Sequence, residues 1–369
     1  MSIVKFSEVA HRAYTREDRF NTEKIYYVGG EHIDSCELYV TKMGVIKGST
    51  IGPMFYCGFT AGQILFVTRN PHLKKCSIAD FDGICSEKTF VIETKDESIL
   101  TQEYLAIIMQ SDDFWNYCEE NKSGGVNYFL NWSTLADYEF ELPPIKQQLE
   151  IAQKVMSAYR LKQSYKKLLD ATREMVKSQF IEMFGNPQIN DKSFKTTKFI
   201  NVVTLQRGYD LPVNKRDNSG DIPVYGSNGL LGFHNQAKID QGVITGRSGT
   251  LGEVYMCDTP FWPLNTTLFS IDTHGNNLIY LQYLLIFYDL RRFASGAGVP
   301  TLNRNEFHDN EMISVPIELQ NEFAEFVKLI DKSKFVCHSK NFLCDIFTFS
   351  SSTIAYPSVV SIFVCPKRC

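Results

Sequence analysis

Short motifs return along this chain at a fixed offset of 172 residues, so one folding unit is written twice. Ser123-Gly124 reappears as Ser295-Gly296, Leu130-Asn131 as Leu302-Asn303, and Glu139 as Glu311. Pro144-Ile145 then returns as Pro316-Ile317, and Gln148, Glu150, Ala152 and Val155 as Gln320, Glu322, Ala324 and Val327. An offset held without a gap predicts two units, each a globular part followed by a helix. A protein built this way can engage two similar objects at once. The length of 369 residues agrees, because it exceeds what one core usually organises.

Composition narrows the class. With 44% hydrophobic and 22% charged residues the chain reads as ordinary globular protein. A net charge of −4 argues weakly against coating nucleic acid by bulk charge, yet basic residues can be gathered on one face. Met1 to Val9 mixes Lys5 and Glu8 among apolar residues, so no secretory signal is expected, and no apolar run reaches membrane-spanning length. The ten cysteines form no C-x-x-C pair and have no histidine at metal spacing. The expectation is therefore no bound metal and a reducing cytoplasm. Six cysteines are scattered singly, as small apolar core residues would be, and four crowd into the last 33 residues.

Residues 1–142 read as a first mixed α/β globule, with strand-like runs at Ile25 to Val28, Glu37 to Val40, Ile64 to Thr68 and Phe90 to Ile92. Tyr104, Leu105, Ile108 and Met109, continuing to Phe114 and Tyr117, have helical spacing. Residues 143–187 form a spacer: Ile145 to Phe184 is 40 residues without glycine or proline, and Gly185-Asn186-Pro187 ends it. At about 1.5 Å per residue such a helix is about 60 Å long. Leu149, Ala152, Met156 and Tyr159 make one apolar seam, which Tyr165, Leu168, Thr172 and Met175 continue after a phase shift. Residues 188–315 form the second globule, with strand-like runs at Ile222 to Tyr225 and Gly242 to Thr245 and a helix through Leu281, Leu284 and Leu285. A second spacer helix over 316–334 carries Phe323, Phe326, Val327 and Ile330. Its pattern stops near Lys334, and the tail 335–369 is read as atypical, such as translation in a shifted frame, with a β-rich extension as the alternative. The predicted fold class is α+β: two mixed globules joined by long helices that pair as an antiparallel coiled coil.

Familiar catalytic signatures are missing. The chain has no G-x-x-x-x-G-K-[ST] loop, no H-E-x-x-H helix and no G-x-S-x-G turn. Asn70-Pro71 and Asn186-Pro187 are followed by His72 and Gln188, so neither makes the Asn-Pro-Pro-aromatic pocket of amino-methyltransferases. No active site is expected. Two globules at opposite ends of an antiparallel helix pair would be related by an approximate two-fold axis. Duplex DNA has matching local symmetry, with major grooves recurring every 34 Å or so.

Several motifs in order carry a resemblance. Tyr27-Val28-Gly29-Gly30-Glu31-His32-Ile33, Gly62-Gln63-Ile64-Leu65-Phe66 and Ala79-Asp80-Phe81-Asp82-Gly83-Ile84-Cys85-Ser86 resemble the first target-recognition domain of type I restriction-modification specificity subunits. Leu142-Pro143-Pro144 with Gln147-Gln148 and Ile151-Ala152 resembles that family's junction into its conserved helix. Arg207-Gly208, Tyr225-Gly226-Ser227-Asn228-Gly229, Gly246-Arg247-Ser248-Gly249 and Trp262-Pro263 resemble the second domain. The likeness covers about residues 25–334 and departs in the tail. It implies a non-catalytic subunit that binds a bipartite asymmetric sequence in double-stranded DNA. Two modification subunits, carrying S-adenosylmethionine, and restriction subunits, using ATP and Mg, would be its partners. No membrane role is implied.

Candidate DNA contacts follow from residue chemistry. Arg247 sits between glycines that let a loop approach phosphate, and its guanidinium can bind phosphate or guanine bidentately. Ser248 adjoins it, and Arg69 is the matching candidate in the first globule. Lys74 and Lys75 could add phosphate contacts. Ser227 and Asn228 occupy a glycine-flanked turn, where an amide either reads adenine or serves the turn itself. Lys122 and Arg304 flank the repeated element before each helix and rank lower. For subunit contact along the helices the candidates are Leu149, Met156, Tyr159, Leu168, Met175, Phe323 and Val327. Two competing classes are a coiled-coil scaffold without a DNA role and the remnant of a fused recognition-methyltransferase enzyme.

Overall fold

The glycine-free run folds as one helix, Ile145–Phe184, in the computed structural model, which describes residues 2–337 apart from Asn218, Ala297 and Val299. The chain divides into two units, with the division falling inside this helix between Ser164 and Tyr165. The tail beyond residue 337, with its expected frame shift, lies outside the described residues. Among the described residues no helix is long and apolar enough to cross a membrane.

Both units are built on the same four-stranded antiparallel sheet. In the first unit its order is Ala10–Ala13, Thr89–Thr94, Ile64–Val67, Cys76–Ile78. In the second it is Thr204–Arg207, Thr267–Asp272, Gly242–Gly246, Val254–Cys257. Each sheet is preceded by a short strand that pairs antiparallel with the strand leading into the unit's helix. Lys5 thus faces Glu139 in one unit, and Lys198 faces Glu311 in the other. Each unit also carries a second sheet containing one parallel pair, with Tyr27 opposite Ile84 in the first and Val224 opposite Trp262 in the second. Here the units diverge: this sheet has five strands in the first unit and three in the second. The added chain lies between the first two strands of the main sheet, residues 14–63 against residues 208–241.

Two strand and helix expectations need correction. Glu37 to Val40 forms no strand; Tyr39 makes a single parallel bridge to Ile78. The helix expected from Tyr104 to Tyr117 is two helices, Gln102–Ile108 and Asp112–Glu120. Ser111 breaks it by capping the second, its hydroxyl accepting from the Phe114 N–H at 3.2 Å.

The repeated glutamines explain why the offset is so strict. Gln148 and Gln320 are 0% and 1% exposed. Gln148 Nε2 donates to the carbonyls of Ile99 (2.8 Å) and Pro143 (2.9 Å), while its Oε1 accepts from the Thr101 N–H (3.1 Å). Gln320 Nε2 donates to Asn276 Oδ1 (2.7 Å) and the Val315 carbonyl (2.9 Å), and its Oε1 accepts from the Asn277 N–H (2.9 Å). Thr101 and Asn277 are the N-caps of equivalent helices, Gln102–Ile108 and Leu278–Tyr288. One amide therefore locks the start of each long helix to its own globule.

Further along, Glu37 holds the first half of the long helix. Its carboxylate accepts from Tyr159 Oη (3.0 Å), Gln163 Nε2 (3.1 Å) and Lys162 Nζ (3.2 Å). Burial and the Glu37 charge push the Tyr159 phenol well above its ordinary range. Ile151, Ala152, Val155, Met156 and Tyr159 are buried here, whereas Leu149 is 53% exposed because its neighbour Gln148 takes the inward position. The second half also departs from the expected seam: Leu168 and Met175 are each 48% exposed. The buried stripe is Thr172, Val176, Phe180 and Phe184, spaced i, i+4. Its aromatic rings set the face, since Phe180 and Phe184 lie 5.5 and 5.6 Å from Phe323 on the helix Ile317–Cys337. Phe323 and Val327 are buried as expected of a paired helix. Phe180 and Phe184 both reach Phe323, so the two helical segments pack together within the second unit. Gly185, at φ +69°, ends the long helix in a conformation that suits glycine.

Replacing Gln320 by leucine should strand the Asn277 N–H and two acceptors, at roughly 1–3 kcal/mol of stability for an orphaned buried group. Urea unfolding followed at Trp262 should shift to lower midpoint, while the transition reported by Trp115 and Trp132 of the first unit stays in place. An unchanged Trp262 midpoint contradicts the locking role.

Candidate nucleic-acid interface

In the second unit the sequence candidates gather at one rim of the small sheet. Gly226 and Gly229 face each other, leaving Ser227 and Asn228 as the tip of the hairpin between Ile222–Gly226 and Gly229–His234. Gly229 closes this turn at φ +96°, which a side chain would oppose. Beside the tip lies an open cleft of about 360 Å³, lined by Asp210, Leu211, Pro212, Arg216, Ser227, Asn228, Leu231, Leu264, Asn265 and Thr266. Arg247 braces its edge: Nε donates to the Asn265 carbonyl at 2.9 Å, and the backbone N–H donates to the Thr266 carbonyl at 2.8 Å. Asn265 Nδ2 bonds Asp210, whose carboxylate also lies 3.6 Å from Arg207. The cleft thus offers amide, hydroxyl and guanidinium groups, the donor set that reads base edges and phosphates.

Asp210, Arg216, Asn265 and Thr266 were not among the sequence candidates. The motifs Arg207-Gly208 and Trp262-Pro263 flank them, and the two stretches meet where Tyr209 bridges in parallel to Leu264 and its N–H donates to the Pro263 carbonyl at 2.8 Å. Ser248 bridges to Thr301 and holds the loop to the Ser295 turn region. Arg304 packs inward, donating to the Leu205 carbonyl at 3.4 Å beside His308.

In the first unit the pairing of Arg69 with Arg247 needs correction. The Leu130 N–H donates to the Thr68 carbonyl, and its counterpart Leu302 donates to the Arg247 carbonyl. Thr68 therefore occupies the place of Arg247, and Arg69 that of Ser248, because the first unit's strand reaches the loop one residue earlier. Arg69 is exposed, lies 5.6 Å from the Phe129 ring and draws the Glu87 carboxyl down. The larger causes of that drop are Lys88, 2.6 Å from Glu87, and Tyr56 Oη, which donates to it at 2.8 Å. The three lysines are held within the globule: Lys74 by Asp112 (3.1 Å), Lys75 by the Gly30 carbonyl, and Lys122 by Glu119 (2.7 Å) with the Tyr128 ring at 4.5 Å.

Comparison with known proteins places this architecture. Residues 191–340 match the family model described as the type I restriction modification DNA specificity domain. Over that stretch the second unit is similar to a type I restriction-modification specificity domain. A 97-residue stretch is 30% identical to the type I restriction enzyme EcoDI specificity subunit of Escherichia coli, covering 26% of this chain and 21% of that protein. The match thus spans about a fifth of this curated relative. The type I restriction-modification S subunit from M. genitalium superposes with a TM-score of 0.64 at 14% identity, over 98% of this chain and 96% of that one. A second solved structure, titled for complex assembly and conformational transition of the type I R-M system, gives 0.50 at 15% identity, over 98% and 97%. At these identities the likeness is one of fold, and it agrees with the α+β architecture of two domains with a long helix between them. The family resemblance read from the motifs holds.

His308 supplies a pH test of the second unit's packing. Its Nε2 accepts from the Leu205 N–H at 3.3 Å, and burial, followed by the Arg304 charge, lowers its pKa. A histidine lowered on folding contributes stability above its unfolded pKa, about 6.5, and loses it as pH falls through the folded value. Between pH 7 and 5 the unfolding midpoint of the second unit should fall more for the native chain than for His308→Gln. Parallel falls contradict the assignment.

Proposed function

We propose that the chain is the DNA sequence-specificity subunit of a type I restriction-modification complex. In this reading each unit binds one half of a bipartite asymmetric site in double-stranded DNA, and the Ile145–Phe184 helix sets the unread spacer. The chain itself is non-catalytic and binds no cofactor. Two modification subunits dock on the helices and bring S-adenosylmethionine for adenine methylation. Restriction subunits bring the ATP- and Mg-dependent endonuclease. The half-exposed Leu149, Leu168 and Met175 are available on the helix for such docking.

The observation that carries this reading is a shared frame with unlike rims. The two main sheets have one strand order, whereas the second sheets differ in strand number and in the side chains at their edges. Two equal frames with different rims suit an asymmetric two-part target. The tip residues Ser227 and Asn228 and the braced Arg247 with Ser248 are assigned to the second half-site. Arg69 is assigned to the first, and Lys74, Lys75, Lys122 and Arg304 to supporting phosphate contact.

The test is co-expression with a cognate modification subunit, followed by mapping of methylated adenines. The expected result is one motif made of two separated, different blocks, with Arg247→Ala weakening discrimination in one block by about 1–3 kcal/mol. Methylation without a bipartite motif, or by the purified chain alone, overturns the reading. Binding that ignores salt would favour a scaffold without a DNA role.

A further inference from the structure

The segment that follows the first strand of the main sheet occupies the same topological place in both units. In the second unit it is residues 207–216, which bring Asp210 and Arg216 to the cleft. In the first it is residues 14–20, where Thr15–Arg16 pairs with Phe55–Phe59 at one edge of the five-stranded sheet. Gly208 and Tyr209 leave the second unit's sheet as Thr15 and Arg16 leave the first.

This first-unit segment is rich in cations set on aromatic rings. The Arg16 guanidinium lies 5.3 Å from the Tyr56 ring, and that of Arg19 lies 4.3 Å from Phe20. Arg12 packs against Phe90 at 4.6 Å and Tyr14 at 5.8 Å, anchoring the start. Phe20 is 83% exposed and Tyr14 57%. Among the described residues Arg19 Nε is buried and meets no acceptor. The neighbouring carboxylates are engaged: Glu17 accepts from Thr22 Oγ1 at 2.8 Å, and Asp18 from the Phe20 N–H at 3.0 Å. Tyr56, under Arg16, donates to Glu87, the carboxylate that Arg69 also feels. Arg16, Tyr56 and Glu87 are thus linked contact by contact, and the Arg69 charge acts on the same carboxylate.

We propose that Arg16 and Arg19, with Tyr14 and Phe20, form the first unit's principal contact to duplex DNA, extending the Arg69 surface. The exposed Arg16 guanidinium suits a phosphate or guanine edge, the half-buried Arg19 places a second cation beside it, and the exposed aromatics Tyr14 and Phe20 suit a base or sugar face. The lysines at 74, 75 and 122, each already held within the globule, are secondary. The inference rests on the specificity-subunit reading and names the residues that serve its first half-site.

The full-length chain, mixed with randomised duplex DNA and put through rounds of selection, tests it. The enriched duplexes are then titrated against the native chain, Arg16→Ala and Arg19→Ala, with circular dichroism confirming the fold of these surface variants. Each variant should bind about tenfold or more weakly, with a shallower salt dependence, and should lose sequence preference in one block only. If the native chain enriches a sequence and both variants bind it equally well, the inference falls and the specificity reading stands. If the native chain enriches none, both fall.

Discussion

A single buried amide, used twice, organises this protein. Gln148 and Gln320 each join a helix N-cap in the globule to the strand end that feeds the long helix. Both are enclosed, so the buried partners among them, the Thr101 N–H and the Pro143 and Val315 carbonyls, would otherwise be orphaned in the core. Helix and globule are thereby fixed to each other within each unit. A side chain of any other shape cannot meet two carbonyl-type acceptors and one N–H at once, which is why glutamine stands at both positions.

With the frames fixed, variation is confined to the rims. The main sheets, the strands that close them and the helices that cover them follow one plan in both units, while the second sheets differ in size and chemistry. The second unit presents a cleft of amides and hydroxyls braced by Arg247. The first presents guanidinium groups on aromatic rings. This division suits a protein whose frame must stay constant while its reading surface changes. Under the proposed function, the two rims would prefer different base sequences for that reason alone.

Much of the frame was legible because its signals are local or repeated. Freedom from glycine and proline marked Ile145–Phe184 to the residue, and the 172-residue offset marked the paired glutamines without revealing what they hold. The seam in the second half of that helix was misread, since Leu168 and Met175 look as apolar as Val176 and Phe180 until Phe323 decides which face is covered. Of the site, the hairpin tip Ser227-Asn228 and Arg247 were visible in glycine-rich motifs. Asn265, Asp210, Arg16 and Tyr56 were not, because the pairings that assemble them join distant stretches. The equivalence of Arg69 with Ser248 rather than Arg247 likewise depends on a one-residue difference in strand end that spacing alone does not show.

Hydrogen exchange at two backbone amides tests the central claim most directly. The Thr101 and Asn277 N–H groups precede helices and would exchange as fast as loop amides unless each is bound by its buried glutamine. The account predicts strong protection at both, with exchange only on unfolding of the unit that contains the amide. Fast exchange at either amide in the native chain would contradict it.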